Sequence, residues 1–468
     1  MPQSSSRTVT VIGGGLAGIS AACALADSGY RVQLLERRPY LGGRASSYEH
    51  PGTSEVIDNC QHVLIGRCTS LIDLYRRLNV LDAIRWYDEF TFITPGGERS
   101  VIRPGRLPAP LHSSLAFLRA PAFSIADKLA IAHGLSWFLR GLPPDGRQDF
   151  GHWLRRHGQT TRAIERFWKP VLVSALNEDI DRLSVHYAAK VFRESFLLSP
   201  AAGRMGIPAI PLSELYGRAA GYLRARGGEV HLRTAAEAIT PSQHGWVVSG
   251  AGRTFASDAL VLAVSFEAMV GLMPLLPQNA ASEELATHLA QFEHSPITGI
   301  HLWFDRQITE LDHAVLLDTT IQWMFNKSRL QPTHRDRQGS YLELVVSASR
   351  SLVPMSRQEI VDLALRELAQ FFPAVANASL TKAAVVKEVR ATYSIRPQLD
   401  RIRPRNASPW PGIFLAGDWT STGWPATMEG AVRSGYLAAE ALSHSLGDPH
   451  SFLAPELPVG GLMRLLSR

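Results

Sequence analysis

Three glycines, Gly13, Gly15 and Gly18, stand at G-x-G-x-x-G spacing directly after the β-branched run Thr8–Ile12. At that spacing the first glycine permits a tight strand-to-helix turn, the second lets the backbone approach a pyrophosphate, and the third lets helix and strand pack closely. Leu16 and Ala17 open the helix, and its first N–H groups, with their partial positive charge, suit a phosphate. Glu36 follows eighteen residues after Gly18, with Arg37 beside it. A carboxylate at that place accepts hydrogen bonds from ribose hydroxyls. The chemistry is dinucleotide binding, and this unit alone does not separate NAD from FAD.

These residues work only if a strand, a glycine turn, a helix and a second strand follow in that order. The pattern supplies them: a strand over 8–12, a helix over 16–28 stopped by Gly29, and a strand over 31–36. That order belongs to a parallel α/β sheet. A proline-rich stretch over 100–145 encloses a helix over 124–139, with Ser124 as N-cap and Asp127 three residues on. A helical stretch then runs to residue 198. A second proline-rich hinge leads into a helix over 213–226, and short strands follow over 230–233, 246–249 and 259–263. Strands at 300–304 and 341–347, a helix over 357–371, a strand at 413–417 and a helix from Met428 complete the reading. A chain of 468 residues exceeds one core. The expected division is a discontinuous nucleotide domain (1–105, 205–270, 405–445), a second domain with a helical part (106–204, 271–404) and a tail (446–468).

Leu41-Gly42-Gly43-Arg44 follows Glu36 after a short loop, and Ile413–Trp419 and Met428-Glu429-Gly430-Ala431 stand near the other end. Together these segments resemble the large flavoprotein family of amine oxidases, protoporphyrinogen oxidase and carotenoid desaturases. The resemblance implies FAD, held in a Rossmann-type, glutathione-reductase-like domain interrupted by a mixed α+β substrate domain. It places Gly43 and Arg44 near the pyrophosphate, and Gly417 and Asp418 near the ribityl chain or pyrophosphate. Met428, Glu429, Gly430 and Ala431 would open a helix toward the flavin, and the backbone of Ala236 would touch the adenine.

The segments Ile57-Asp58-Asn59-Cys60-Gln61-His62-Val63, Ala109-Pro110-Leu111-His112, Ser124–Leu129, Gly417–Thr420 and Thr422–Met428 narrow the likeness. They are similar to hydroxysqualene dehydroxylase, a squalene-forming flavoprotein of hopanoid synthesis. That resemblance implies reductive removal of an allylic hydroxyl from a long isoprenoid by hydride from reduced flavin. Hydroxide is a poor leaving group, so an acid should assist. His62 is the residue to test, with Asp58 orienting it or binding flavin, and Tyr393 and Glu429 are alternatives. A carotenoid-type desaturase remains open. So does an amine oxidase, although that class has an aromatic residue before its Met-Glu-Gly-Ala motif, where this chain has Thr427. A flavin-binding scaffold or lipid carrier is the non-enzymatic reading.

The partners follow from composition. The net charge of +6 is scattered, without a lysine or arginine block, so nucleic acid is not expected. Cys23, Cys60 and Cys68 lack metal spacing, so no metal is expected, and reduced thiols suit the cytoplasm. No apolar run reaches the ~18–20 residues of a membrane span. A water-insoluble substrate still predicts peripheral contact with the inner face of the cytoplasmic membrane, through residues 125–142 or the basic tail 457–468. No second dinucleotide motif is visible, which leaves the electron donor to FAD unidentified.

Overall fold

In the computed structural model, which describes residues 7–334 and 339–466, Thr8–Ile12 is the central strand of a five-stranded parallel sheet. Its neighbours are Arg31–Leu35 and Ala259–Leu262, with Glu229–His231 and Ile413–Leu415 outside them. Three separate stretches of chain therefore build one sheet. Its central strands are covered on both faces, so Thr10 is buried along with Val9, Val11 and Ile12, and Ala259–Leu262 is apolar throughout. The helix Leu16–Asp27 is apolar all round because all but its last residue is buried. Across it lies Met428–Ser445, at a separation only a glycine tolerates: a Cβ on Gly435 would fall 2.1 Å from the Ala17 carbonyl oxygen.

A second, seven-stranded sheet runs in the order Leu380–Tyr393, His294–Phe304, Ser340–Ser347, Trp323–Asn326, His313–Leu316, Phe90–Ile93, Arg99–Ile102. Ile300, Leu302, Phe304, Leu342 and Leu344 pack against the helix Arg357–Ala369. The alternate residues, His301, Trp303, Tyr341 and Glu343, are paired across the same two strands and so share the opposite face. There Trp303 and Tyr341 pack with Tyr48 and Ile57 of the hairpin Ser47–His50/Glu55–Asp58. Residues 90–102, expected in the nucleotide domain, are strands of this second sheet. Their alternation shows that one face is buried but not which sheet they join.

The helical part is built on Ile125–Ser136, Phe150–Arg156, Lys169–Leu176 and Val185–Lys190, with π-helical turns at Ile164–Trp168 and Val191–Leu197. Phe138, Phe150, Trp153, Trp168 and Phe192 form its centre. Ser124 and Asp127 make the expected capping box. The last segment folds back onto the body: Met463 is fully buried against Ala109 and Leu198, and Leu462 N–H donates to the Ala109 carbonyl (2.8 Å). Arg468, part of the expected basic tail, lies outside the described residues. Among those described, no helix is long and apolar enough to cross a membrane.

Candidate active site

The glycine turn is built as its spacing requires. Gly13 has φ +110°, donates its N–H to Leu35 O (2.8 Å), and would place a Cβ 2.3 Å from Ala263 O. A Cβ on Gly18 would fall 1.8 Å from Gly13 O. Gly15 differs: its φ is an ordinary −75°, and a Cβ there would meet only Gly43 Cα, at 3.9 Å. Space beside Gly15, over a helix start with no capping side chain, is a cradle for a phosphate. Leu16, Ala17 and Gly18 form its floor, and Gly43 (φ +63°) passes over Gly15.

Glu36 is buried at the end of the second strand, where its carboxylate accepts from Gly14 N–H (2.6 Å) and Arg38 N–H (2.7 Å). Arg37 points to solvent. It is Arg38 that closes on the turn, donating to Gly43 O (2.9 Å). Thr234 N–H donates to the Glu36 backbone carbonyl (2.9 Å), which ties the segment leading to Ala236 to the end of the second strand.

Arg44 reaches Asp418 with Nη2 at 2.6 Å from Oδ1 and joins the two ends of the chain. Asp418 is buried, and its loop is held by Arg403, which donates to Asp418 O (2.9 Å), Tyr187 Oη (2.6 Å) and Asp400 (2.8 Å). Gly417 N–H is bound by Ser434 Oγ (2.8 Å). Thr427 caps the helix opened by Met428, accepting from Gly430 N–H (3.1 Å), with Ala431 in the same first turn. Glu429 faces elsewhere. Its fully buried carboxylate accepts from Ser70 and Leu71 N–H (3.1 and 2.8 Å) and so caps the helix Thr69–Arg77. Burial pushes its pKa up to about 7, against the pull of those two amides. Both oxygens of the carboxylate are engaged in this cap.

Asp58 and His62 separate. The Asp58 carboxylate is bound by Lys327 Nζ (2.7 Å), Ser47 Oγ (2.5 Å) and Leu212 N–H (3.1 Å), so it does not orient His62. Burial alone would raise its pKa, but Lys327 and the hydrogen bonds hold it below the ordinary carboxylate range. His62 is half-buried, and its Nδ1–H donates to Cys60 O (2.8 Å). Burial lowers its pKa against that bond, so the ring is neutral near pH 7 and Nε2 carries a lone pair. Such a ring accepts a proton more readily than it gives one. The Tyr393 hydroxyl is buried without a hydrogen-bond partner among the described residues, within electrostatic range of Arg44 and Asp418. Burial raises its pKa, so it keeps its proton and can donate.

Sequence reasoning missed Lys327 and Glu343. Lys327, fully buried, also donates to Gln61 Oε1 (2.9 Å) and forms an ion pair with Glu343 at 3.2 Å. Burial pushes Glu343 up to about 7, with Lys327 opposing and Asp58 adding to the rise. The visible signal was a glutamate inside the apolar run Tyr341-Leu342-Glu343-Leu344-Val345-Val346, since a charge in a buried strand needs a buried partner. Among the described residues no group of three or more His, Cys, Asp or Glu has the arrangement to hold a metal.

Comparison with known proteins places this geometry. The model of the flavin-containing amine oxidoreductase family matches residues 16–443. A probable zeta-carotene desaturase of Synechococcus elongatus is 27% identical, over 93% of this chain and 98% of its own length. The 15-cis-phytoene desaturase of Glycine max is 29% identical, over 93% of this chain and 79% of its own length. Among solved structures, an oxidoreductase from Methanosarcina mazei superposes with TM-score 0.70 at 16% identity, covering 92% of this chain and 98% of that one. Cyclohexylamine oxidase from Brevibacterium oxydans does so with TM-score 0.64 at 19% identity, covering 94% and 100%. The mixed α/β fold is that of FAD-dependent oxidoreductases, and the cofactor is FAD. The open face of Gly15, the helix start without a side-chain cap and the Tyr393 hydroxyl, which has no hydrogen-bond partner among the described residues, fit it.

Proposed function

Since the chain belongs to the flavin-containing amine oxidoreductase family, we propose that it acts at an allylic carbon of a long isoprenoid. The observation that carries this is the similarity to carotene and phytoene desaturases along 93% of the chain, including both sheets and the helical part. Thr427, which caps a helix where an amine oxidase has an aromatic wall, argues against an amine substrate. Bound FAD supplies two-electron hydride exchange. The roles left to the protein are holding it and moving a proton. Gly15, Gly43 and the first turn of Leu16–Asp27 would hold the pyrophosphate, Glu36 a ribose, and Arg44 with Asp418 the pyrophosphate on its ribityl side.

The two directions of exchange call for different proton carriers. Desaturation removes a hydride and a proton, and the neutral His62 ring, with Nε2 free of its Cys60 bond, is a base of the right kind. This is the direction that the named relatives favour. Reductive dehydroxylation of hydroxysqualene to squalene is the second reading, favoured by the segments 57–63 and 420–428. There a hydride replaces the hydroxyl, which leaves as water after gaining a proton. The Tyr393 phenol, buried and still protonated, is the donor suited to that step.

Two anaerobic incubations test this reading: the dithionite-reduced enzyme with hydroxysqualene, and the oxidised enzyme with phytoene. Flavin reoxidation with squalene formation assigns dehydroxylation. Flavin reduction with a desaturated product assigns desaturation. No flavin change with either removes the isoprenoid reading. Under dehydroxylation, Tyr393→Phe is expected to lower turnover more than His62→Ala, with FAD retained in both; under desaturation the order reverses.

A further inference from the structure

Apolar side chains cluster on the outside of the helical part. Leu111, Leu115 and Leu118 recur at helical spacing through Leu111–Ser113 and Ser114–Arg119, and all three are exposed. Ile125 and Leu129, one turn apart on Ile125–Ser136, are 78% and 67% exposed. Lys128 Nζ donates to Leu118 O (2.7 Å), which ties these two helices together. The returning tail extends the same surface. Met463 plugs it from beneath, Leu462 N–H is bonded to Ala109 O, and Leu462, Leu465 and Leu466 stay exposed. Sequence-distant segments thus make one apolar face, of a kind that monomeric proteins seldom leave uncovered.

The exposed charge on the segments that form it has one sign. Arg103, Arg106, Arg119, Arg140 and Arg464 are exposed, and none has a carboxylate partner among the described residues. In residues 103–144 the one acid is Asp127, which is buried and bonded to Ser124 and Thr160, and residues 457–466 contain no acid. Trp137, 56% exposed, stands at the margin of the face with its indole N–H toward His133. A tryptophan there, apolar in body and polar at its edge, suits a membrane–water boundary. The patch itself is leucine and isoleucine, whereas the cores of protein interfaces favour aromatic residues and methionine.

We propose that this face docks on an anionic phospholipid bilayer, the leucines and Ile125 entering the acyl boundary and the arginines meeting lipid phosphates. Docking would give the enzyme its long isoprenoid directly from the bilayer. That purpose rests on the isoprenoid reading, while the surface rests on its own residues.

The test is flotation of the FAD-loaded protein, without substrate, with vesicles of phosphatidylcholine alone or mixed with phosphatidylglycerol. Wild type is expected to float with the mixed vesicles and much less with phosphatidylcholine. The variant L118E/L129E/L465E should fall to background while keeping its flavin spectrum and its turnover of detergent-dispersed substrate. The exposed set R106E/R119E/R464E should weaken partition by roughly fivefold or more per arginine and lose the anionic preference; it decides the matter if the leucine variant fails to retain FAD. Equal flotation of wild type and the arginine set overturns the proposal. So does a dimer in sedimentation velocity that the leucine variant dissociates, without vesicle binding by wild type. Flotation with no isoprenoid turnover keeps the surface and removes the isoprenoid reading.

Discussion

The glycine cradle of residues 13–44 and the charged junction around Lys327 both bury polar groups, but by opposite means. The cradle uses backbone: turn glycines, a helix start and one carboxylate on two N–H groups, mostly from one contiguous stretch. The junction uses side chains from distant segments, with Lys327 meeting Asp58, Gln61 and Glu343. A backbone site keeps its shape when side chains change and fails when a Cβ enters it. A side-chain junction does the reverse. Removing one partner there leaves a charge buried without compensation.

The largest effect should come from Lys327→Met. It strands the Asp58 carboxylate in the interior and is expected to cost about 3–5 kcal/mol of stability, read by urea unfolding of the FAD-loaded protein. Adding Asp58→Asn should recover part of that loss. A loss below about 1 kcal/mol, as for an exposed ion pair, would erase the contrast.

Next is Glu343→Gln. The folded protein holds the Glu343 proton more tightly than the unfolded chain does, since its pKa rises from 4.5 to about 7. Its stabilising contribution is therefore complete below pH 4.5 and is lost as pH climbs through 7. The shift corresponds to on the order of 3 kcal/mol by pH 8. The glutamine variant should match wild type at pH 4.5, exceed it at pH 8, and show a flatter unfolding profile between. Asp58 works the other way: its lowered pKa adds stability above pH 3.8 that is lost on further acidification.

The smallest effect on stability, and the most specific for function, belongs to Gly15→Val. Gly15 has an ordinary φ and open space where a Cβ would stand, so the apoprotein should melt as wild type does. FAD should bind roughly tenfold more weakly or worse, because the new side chain occupies the phosphate space. Gly18→Val, with its Cβ 1.8 Å from Gly13 O, should instead fail to fold. Equal behaviour of the two variants would show that the space beside Gly15 is not the cradle.

Much of the fold was legible because its signals are local. The capping box at Ser124 and Asp127 formed as the residues predict, and the parallel sheet formed around Thr8–Ile12. Arg99–Ile102 carries alternation but no address, and it joined the second sheet. Glu429 reads as a flavin-facing acid from its motif, yet Ser70 and Leu71, more than 350 positions away, bind its carboxylate.

By itself, the sequence determined the dinucleotide turn and the helix start over it. Each depends on backbone geometry that a residue type imposes on its immediate neighbours. Tertiary structure alone decided that Asp58 pairs with Lys327 rather than His62, that Arg38 rather than Arg37 closes the cradle, and that the tail completes an exposed apolar face. Those outcomes depend on which side chains meet across the fold, and contacts between distant segments leave no periodic trace along the chain.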